Sequence, residues 1–168
     1  MMPMRLHRLP SLFRLLRCAA LVSAGAFGVA GTAGAGEVAA QLSPVGTWHA
    51  LDDSGKVEKA EIRIEESAGV LTGRLVRLLD GRSAQSLRCE HCEDDRKGLP
   101  LAGLEILRDL RQDPQHAEVW SGGQVLDPSS GKVYRALLTL TDEGRRLRVR
   151  GYFGTPAFGR TQLWERAD

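Results

Sequence analysis

Asparagine is absent from the 168-residue chain, so no N-glycosylation acceptor exists. A basic excess is missing too. Lys and Arg number 23 against 21 Asp and Glu, a formal net charge of +2. Dedicated nucleic-acid binders carry a strong positive bias, so that class is excluded. The basic run Arg145, Arg146, Arg148 and Arg150 does not change this, because most of it alternates along one wet strand face. No G-x-S-x-G elbow and no H-E-x-x-H pair occurs. Gly131-Lys132 lacks the Gly-rich lead and the following Ser/Thr of a phosphate loop. His49 and His116 stand alone in the sequence. Catalysis is therefore not expected, and no cofactor is implied. Aromatics are sparse at 5%, which singles out the three Trp. What remains is a globular composition, 42% hydrophobic and 26% charged, of a length for one domain.

The averages conceal a break near residue 40. Arg5, Arg8, Arg14 and Arg17 precede an uncharged stretch from Cys18 to Gly36, rich in Ala, Gly, Leu and Val. Ala33-Gly34-Ala35 and Val38-Ala39-Ala40 close it with small residues. A basic start, an apolar core and a small-residue exit define a secretory signal peptide, assigned to residues 1–40. The competing reading is an uncleaved anchor, disfavoured because the core is mostly Ala and Gly. No Arg pair marks the twin-Arg route, so a Sec-type signal is expected. Cleavage after Ala40 leaves 128 residues, 41–168, with 19 basic and 20 acidic side chains, a net charge of −1. Export to a bacterial periplasm places the cysteines where disulfides persist.

The remainder is punctuated for an antiparallel β-domain. Asp52-Asp53-Ser54-Gly55, Ser67-Ala68-Gly69, Asp80-Gly81, Asp127-Pro128-Ser129-Ser130-Gly131 and Thr141-Asp142-Glu143-Gly144 are turn signals. Between them apolar residues recur with period two. Ala60, Ile62 and Ile64 alternate with Glu61, Arg63 and Glu65, and Leu147, Val149 and Gly151 alternate with Arg146, Arg148 and Arg150. Such strands bury one face and wet the other. About eight are expected, near 45–51, 57–66, 70–79, 103–110, 117–126, 132–141, 145–153 and 158–166. Joined in sequence they close into an antiparallel up-and-down barrel without exposed edges. Leu104, Leu107 and Leu110 have helical spacing, so a helix over 104–111 competes with the fourth strand.

Cys89-Glu90-His91-Cys92 admits three chemistries. A structural disulfide is favoured in an oxidising compartment. A redox pair needs a lowered thiol pKa, whereas Glu90, Glu93, Asp94 and Asp95 crowd the cysteines and oppose it. A metal site would use both thiolates and His91, but no second cluster completes the ligand set. Trp48, in Gly46-Thr47-Trp48, opens the domain and Arg160, Trp164 and Arg166 close it. First and last strands are neighbours in a closed barrel, so Trp48 under an Arg would seal one end by a cation–π contact. Gly122-Gly123 reads as a bulge or a close backbone approach. Phe158, Arg160, Gln162, Trp164 and Arg166 share one parity. If it faces inward, Arg160 could meet a ligand carboxylate or phosphate.

Several segments together resemble the domain of unknown function 2147, found in exported bacterial proteins. They are G-T-W at 46–48, C-x-x-C with D-D-R-K at 94–97, P-L-A-G-L-E-I-L at 100–107, W-S-G-G-Q-V-L-D-P-S-S-G-K-V-Y at 120–134, L-R-V-R-G-Y at 147–152 and F-G-R-T-Q-L-W at 158–164. The resemblance implies a small lipocalin-like or calycin-like barrel and carries over no catalytic residue. The expectation is a periplasmic, non-enzymatic barrel binding a small, partly apolar or amphipathic ligand, with Trp120, Phe158, Arg160 and Trp164 near the site. Trp48, Arg166, Cys89 and Cys92 are assigned structural roles. The mature chain is expected to carry no membrane span. One alternative is an envelope interaction protein using the 80–102 loop. The other is a metal or redox role at Cys89, His91 and Cys92.

Overall fold

The computed structural model describes residues 43–167. The expected signal peptide and its cleavage site lie outside the described residues. Eight strands follow one another: β1 (Gly46–Leu51), β2 (Glu58–Ser67), β3 (Val70–Leu78), β4 (Glu105–Gln112), β5 (Val119–Asp127), β6 (Lys132–Thr141), β7 (Arg146–Tyr152) and β8 (Gly159–Arg166). Each pairs antiparallel with the next, and β8 returns to β1, closing the barrel. The closing register sets Trp48 opposite Arg166 and Ala50 opposite Trp164.

Alternation along the strands builds the interior. Ile62 and Ile64 of β2, Ala136, Leu138 and Leu140 of β6, and Leu147 and Val149 of β7 are buried. Their sequence neighbours Arg63, Arg135, Arg146 and Arg148 face water. Burying one face of every strand supplies the main driving force. Closure satisfies the edge N–H and C=O groups that an open sheet would leave bare.

The segment with competing periodicities is strand β4. Its leucines keep helical spacing because the strand is bulged. Leu110 pairs with Leu71 and Leu107 with Gly73, so three steps along β4 match two along β3. Asp109 takes up the extra residue with φ 59°. Leu104, Leu107 and Leu110 are consequently all buried without any helix.

The strand directions give the barrel two unlike ends. The β2–β3, β4–β5 and β6–β7 turns lie at one, together with the start of β1 and the end of β8. The β1–β2, β3–β4, β5–β6 and β7–β8 connections lie at the other. The longest, residues 79–104, is there.

Candidate functional site at the barrel mouth

Side chains shrink along the strands from the first end to the second. On β1, Trp48 gives way to Ala50; on β2, Ile64 and Ile62 give way to Ala60; on β6, Leu138 gives way to Ala136; on β7, Leu147 and Val149 give way to Gly151. The small residues face one another across the sheet, Ala50 with Ala60 and Ala136 with Gly151. The first end is therefore filled and the second is hollow. A cavity of about 1070 Å³ opens there, walled by Ile62, Leu75, Ile106, Val125, Leu126 and Val149 among others.

The filled end is sealed by the pair expected from sequence. The Arg166 guanidinium lies over the Trp48 ring, 4.3 Å from its centroid. It donates to the carbonyls of Gly144 (2.8 Å), Val45 (3.0 Å) and Ser43 (2.7 Å). The indole N–H of Trp48 donates to the Pro44 carbonyl at 2.8 Å.

Trp164 forms part of the cavity floor and is buried. Its Nε1 donates to Gln162 Oε1 at 2.8 Å, and Gln162 Nε2 donates to the Leu51 carbonyl at 2.9 Å. The parity of β8 thus faces inward at Gln162 and Trp164, while Arg160 reaches the rim and pairs with Asp53. Phe158 also lines the rim and is 82% exposed. Trp120 lies elsewhere. It borders a separate surface pocket of about 590 Å³ among the turns that cap the packed end, beside Leu140 and Gly144. Three of the four ligand candidates therefore converge on the mouth, and Trp120 does not join them.

Sequence reasoning passed over several mouth residues. Tyr134 and Phe153 pack at a tilt of 48° with ring centroids 4.7 Å apart, and both line the cavity with Tyr152. Lys59 of β2 and Arg82 and Arg88 of the β3–β4 connection add cations. Tyr134 was legible, since it shares the inward parity of Ala136 and Leu138. The cations were not, because nothing in the pattern tells a rim position from an outer one.

The 79–104 connection is folded around two fixed points. Cys89 and Cys92 are joined as a disulfide and buried. Among the described residues no group of three or more His, Cys, Asp or Glu could hold an ion. The second fixed point is Arg96, only 2% exposed. It donates from Nε and Nη2 to the Asp94 carboxylate and from Nη1 to the Glu105 carbonyl at 3.0 Å. Asp95 receives both Nη groups of Arg108, at 2.9 and 2.8 Å. Asp94 and Asp95 therefore serve arginines instead of crowding the cysteines. The Arg96 hydrogen bond, opposed by partial burial and helped by a backbone N–H, holds the Asp94 pKa at about 2.

This connection docks on the β5–β6 turn. A Cβ on Gly131 would fall 1.8 Å from the His91 carbonyl oxygen, and φ is +71°, so glycine alone allows the approach. Cys89 Sγ lies 3.7 Å from the Pro128 carbonyl oxygen. The docking carries Glu90 and His91 to the cavity edge. Asp127 anchors the turn: burial works against its charge, but Ser129 and Ser130 donate to it and bring its pKa below the usual range.

Comparison with known proteins places this architecture. Protein HP1028 of the human pathogen Helicobacter pylori, described as belonging to the lipocalin family, shares the fold with a TM-score of 0.64. The match has 16% identity and covers 75% of this chain and 84% of that one. At such identity the likeness concerns fold alone. A search of curated proteins found no match. Residues 46–166 match a family described as "Uncharacterized protein conserved in bacteria (DUF2147)". The lipocalin-like barrel with its hollow mouth is thus a member of the DUF2147 family.

Proposed function

We propose that this protein is a periplasmic carrier or sensor whose barrel mouth holds one small, partly apolar ligand, and that its role is binding rather than catalysis. The observation that carries the reading is the loss of side-chain volume at Ala50, Ala60, Ala136 and Gly151, which hollows one half of an otherwise packed barrel. Eight-stranded barrels are either filled by their own side chains or hold one small ligand. The cavity of about 1070 Å³ lies just above the range of roughly 300–1,000 Å³ typical of ligand pockets. Phe153 and Phe158, 60% and 82% exposed at the rim, supply apolar surface for a bound molecule to cover. Export is supported by the basic, apolar and small-residue order of residues 1–40.

The test titrates the purified 41–168 chain with N-phenylnaphthylamine, an uncharged apolar fluorophore. Saturable one-to-one binding is expected, weakened at least about tenfold by Ala60→Phe, which fills the mouth. Fluorescence that rises without saturation, equally in both proteins, would overturn the reading. Fractionation of cells making the full chain tests export. Recovery of an unprocessed cytoplasmic product would sink that part.

A further inference from the structure

We infer that a second binding site lies at the packed end of the barrel, around the indole N–H of Trp120, and that it takes a small protonated amine with an oxygen acceptor beside it. The site is separate from the barrel mouth and does not rest on the reading above. Trp48 and Trp164 bury their rings and donate their N–H groups at 2.8 Å, to the Pro44 carbonyl and to Gln162 Oε1. Trp120 is set as deeply, only 4% exposed, yet its N–H makes no hydrogen bond among the described residues. Among those residues no side-chain N or O without a partner is shut off from solvent. The small accessible part of Trp120 therefore includes its N–H, which opens into the pocket of about 590 Å³ that the ring lines. A buried indole usually has its N–H paired. That group only donates, so the missing partner is an acceptor.

The walls of the pocket call for the opposite kind of group. Glu66 comes from the end of β2, Glu118 from the turn before β5 and Glu143 from the β6–β7 turn. Among the described residues these are the charged groups of the lining, and an ionised carboxylate only accepts. Gln112 donates Nε2 to the Ala117 carbonyl at 2.6 Å, leaving Oε1 as a further acceptor. Two cations stand next to the lining without belonging to it. Arg145 comes within 3.9 Å of Glu143, both side chains being largely exposed. Arg166 aims Nε and Nη2 at the carbonyls of Gly144 and Ser43. Nearby Asp142 and Asp113 are engaged by Arg146 and His116. Three carboxylates against two cations leave the pocket one negative charge. An anion is repelled there, and an uncharged acceptor satisfies Trp120 alone. An ammonium offers three donors to the carboxylates, while a carbonyl or hydroxyl oxygen beside it accepts from Trp120. An amino acid amide and an amino alcohol share that chemistry.

The experiment follows the indole N–H signals of isotope-labelled protein by nitrogen–proton NMR, with protein purified from cells making the full chain. The Trp120 signal is the one lost in Trp120→Phe, and those of Trp48 and Trp164 are internal controls. Glycinamide and ethanolamine are the probes; ethylamine lacks the acceptor and acetamide lacks the charge. Glycinamide or ethanolamine should move the Trp120 signal saturably and leave the other two in place, and the tighter binder names the acceptor. Ethylamine and acetamide should bind at least about threefold more weakly. The double variant Glu66→Gln/Glu118→Gln should weaken the response about three- to tenfold, and added salt should weaken it in the wild type. Both glutamates are exposed, and an otherwise unchanged spectrum checks that the fold is retained. Ala60→Phe, which fills the barrel mouth, should leave the titration unaltered. The inference is overturned by a Trp120 signal that never moves saturably, by an equal response to ethylamine or acetamide, or by a response that survives the double variant. Its loss in Ala60→Phe would assign the signal to the mouth and overturn the inference too. None of these outcomes decides whether the mouth binds an apolar ligand, which the fluorophore titration reads separately.

Discussion

Arg166 ties together three chain segments that the strands alone leave separate. Its guanidinium covers Trp48 and reaches carbonyls before β1 and in the β6–β7 turn. A planar fork with several fixed donors suits three carbonyls at once, which a lysine ammonium on a flexible stem does not. Net hydrogen bonds are worth about 1 kcal/mol each, and a partly shielded cation–π contact adds about 1 kcal/mol. Arg166→Ala should therefore cost about 3–4 kcal/mol in urea unfolding, with an unchanged slope. Arg166→Lys should recover about 1 kcal/mol of that loss. Equal midpoints for wild type and alanine variant would refute the sealing role. This pair was legible because closure makes the first and last strands neighbours. Trp120 shows where such reading stopped. Strand direction alone assigns the start of β5 to the end opposite the 79–104 connection, so its placement away from Phe158 and Arg160 was derivable from connectivity. Parity, which says only inward or outward, could not supply it.

At the level of elements, the irregular positions decide how β4 and β5 fit together. Gly122 and Gly123 combine both expected roles. The register shifts between Trp120 and Gly123, with Gly122 at φ +82°. A Cβ on Gly123 would meet the Arg108 carbonyl oxygen at 2.1 Å, backbone that cannot step aside. A Cβ on Gly122 would meet nothing within 4 Å. Gly122→Ala should cost about 1–2 kcal/mol, the penalty of a left-handed alanine. Gly123→Ala should cost clearly more, since it separates two paired strands. Denaturant curves of the two variants test that order, and a reversal would contradict the close approach. Strand number and order were readable because turn signals punctuate five of the seven connections. The β4 bulge was not, because Leu104, Leu107 and Leu110 display the same spacing in a helix and in a strand with an extra residue.

The β3–β4 connection has its own pH signature. Asp94 falls from an ordinary 3.8 to about 2, chiefly through its hydrogen bond to Arg96. Asp95 shifts down through Arg108, and Asp80 through Arg82. A carboxylate whose pKa is depressed by folding contributes stability that is fully present above its unfolded value. That contribution is lost as pH falls through the folded value. The melting temperature should therefore hold down to about pH 4 and drop between about pH 4 and pH 2. Asp94→Asn should lower it at neutral pH and flatten the acid drop. Parallel acid profiles of variant and wild type would show that the Asp94–Arg96 pair adds no stability.

Across the whole molecule, the packed core and the cavity proposed for a ligand occupy opposite halves of one barrel. The filled half holds Trp48, Ile64, Leu71, Leu110, Leu138 and Leu147, all essentially inaccessible to solvent. Truncation there leaves a void that the closed strands cannot collapse around. Leu138→Ala should cost about 2–5 kcal/mol. The mouth half has space to spare. Ala60→Phe adds apolar volume beside the cavity rather than to a packed core, so its effect on stability should stay within about 1 kcal/mol. The same substitution should weaken probe binding at least about tenfold. Sites kept open for a ligand commonly forgo stability that filling would restore. Chemical denaturation alongside probe titration distinguishes the two halves. Leu138→Ala should lose stability while retaining probe affinity at low temperature, and Ala60→Phe should do the opposite. If Ala60→Phe destabilised the barrel as strongly as Leu138→Ala, the mouth would be packed core, and a hollow half could not be its binding site.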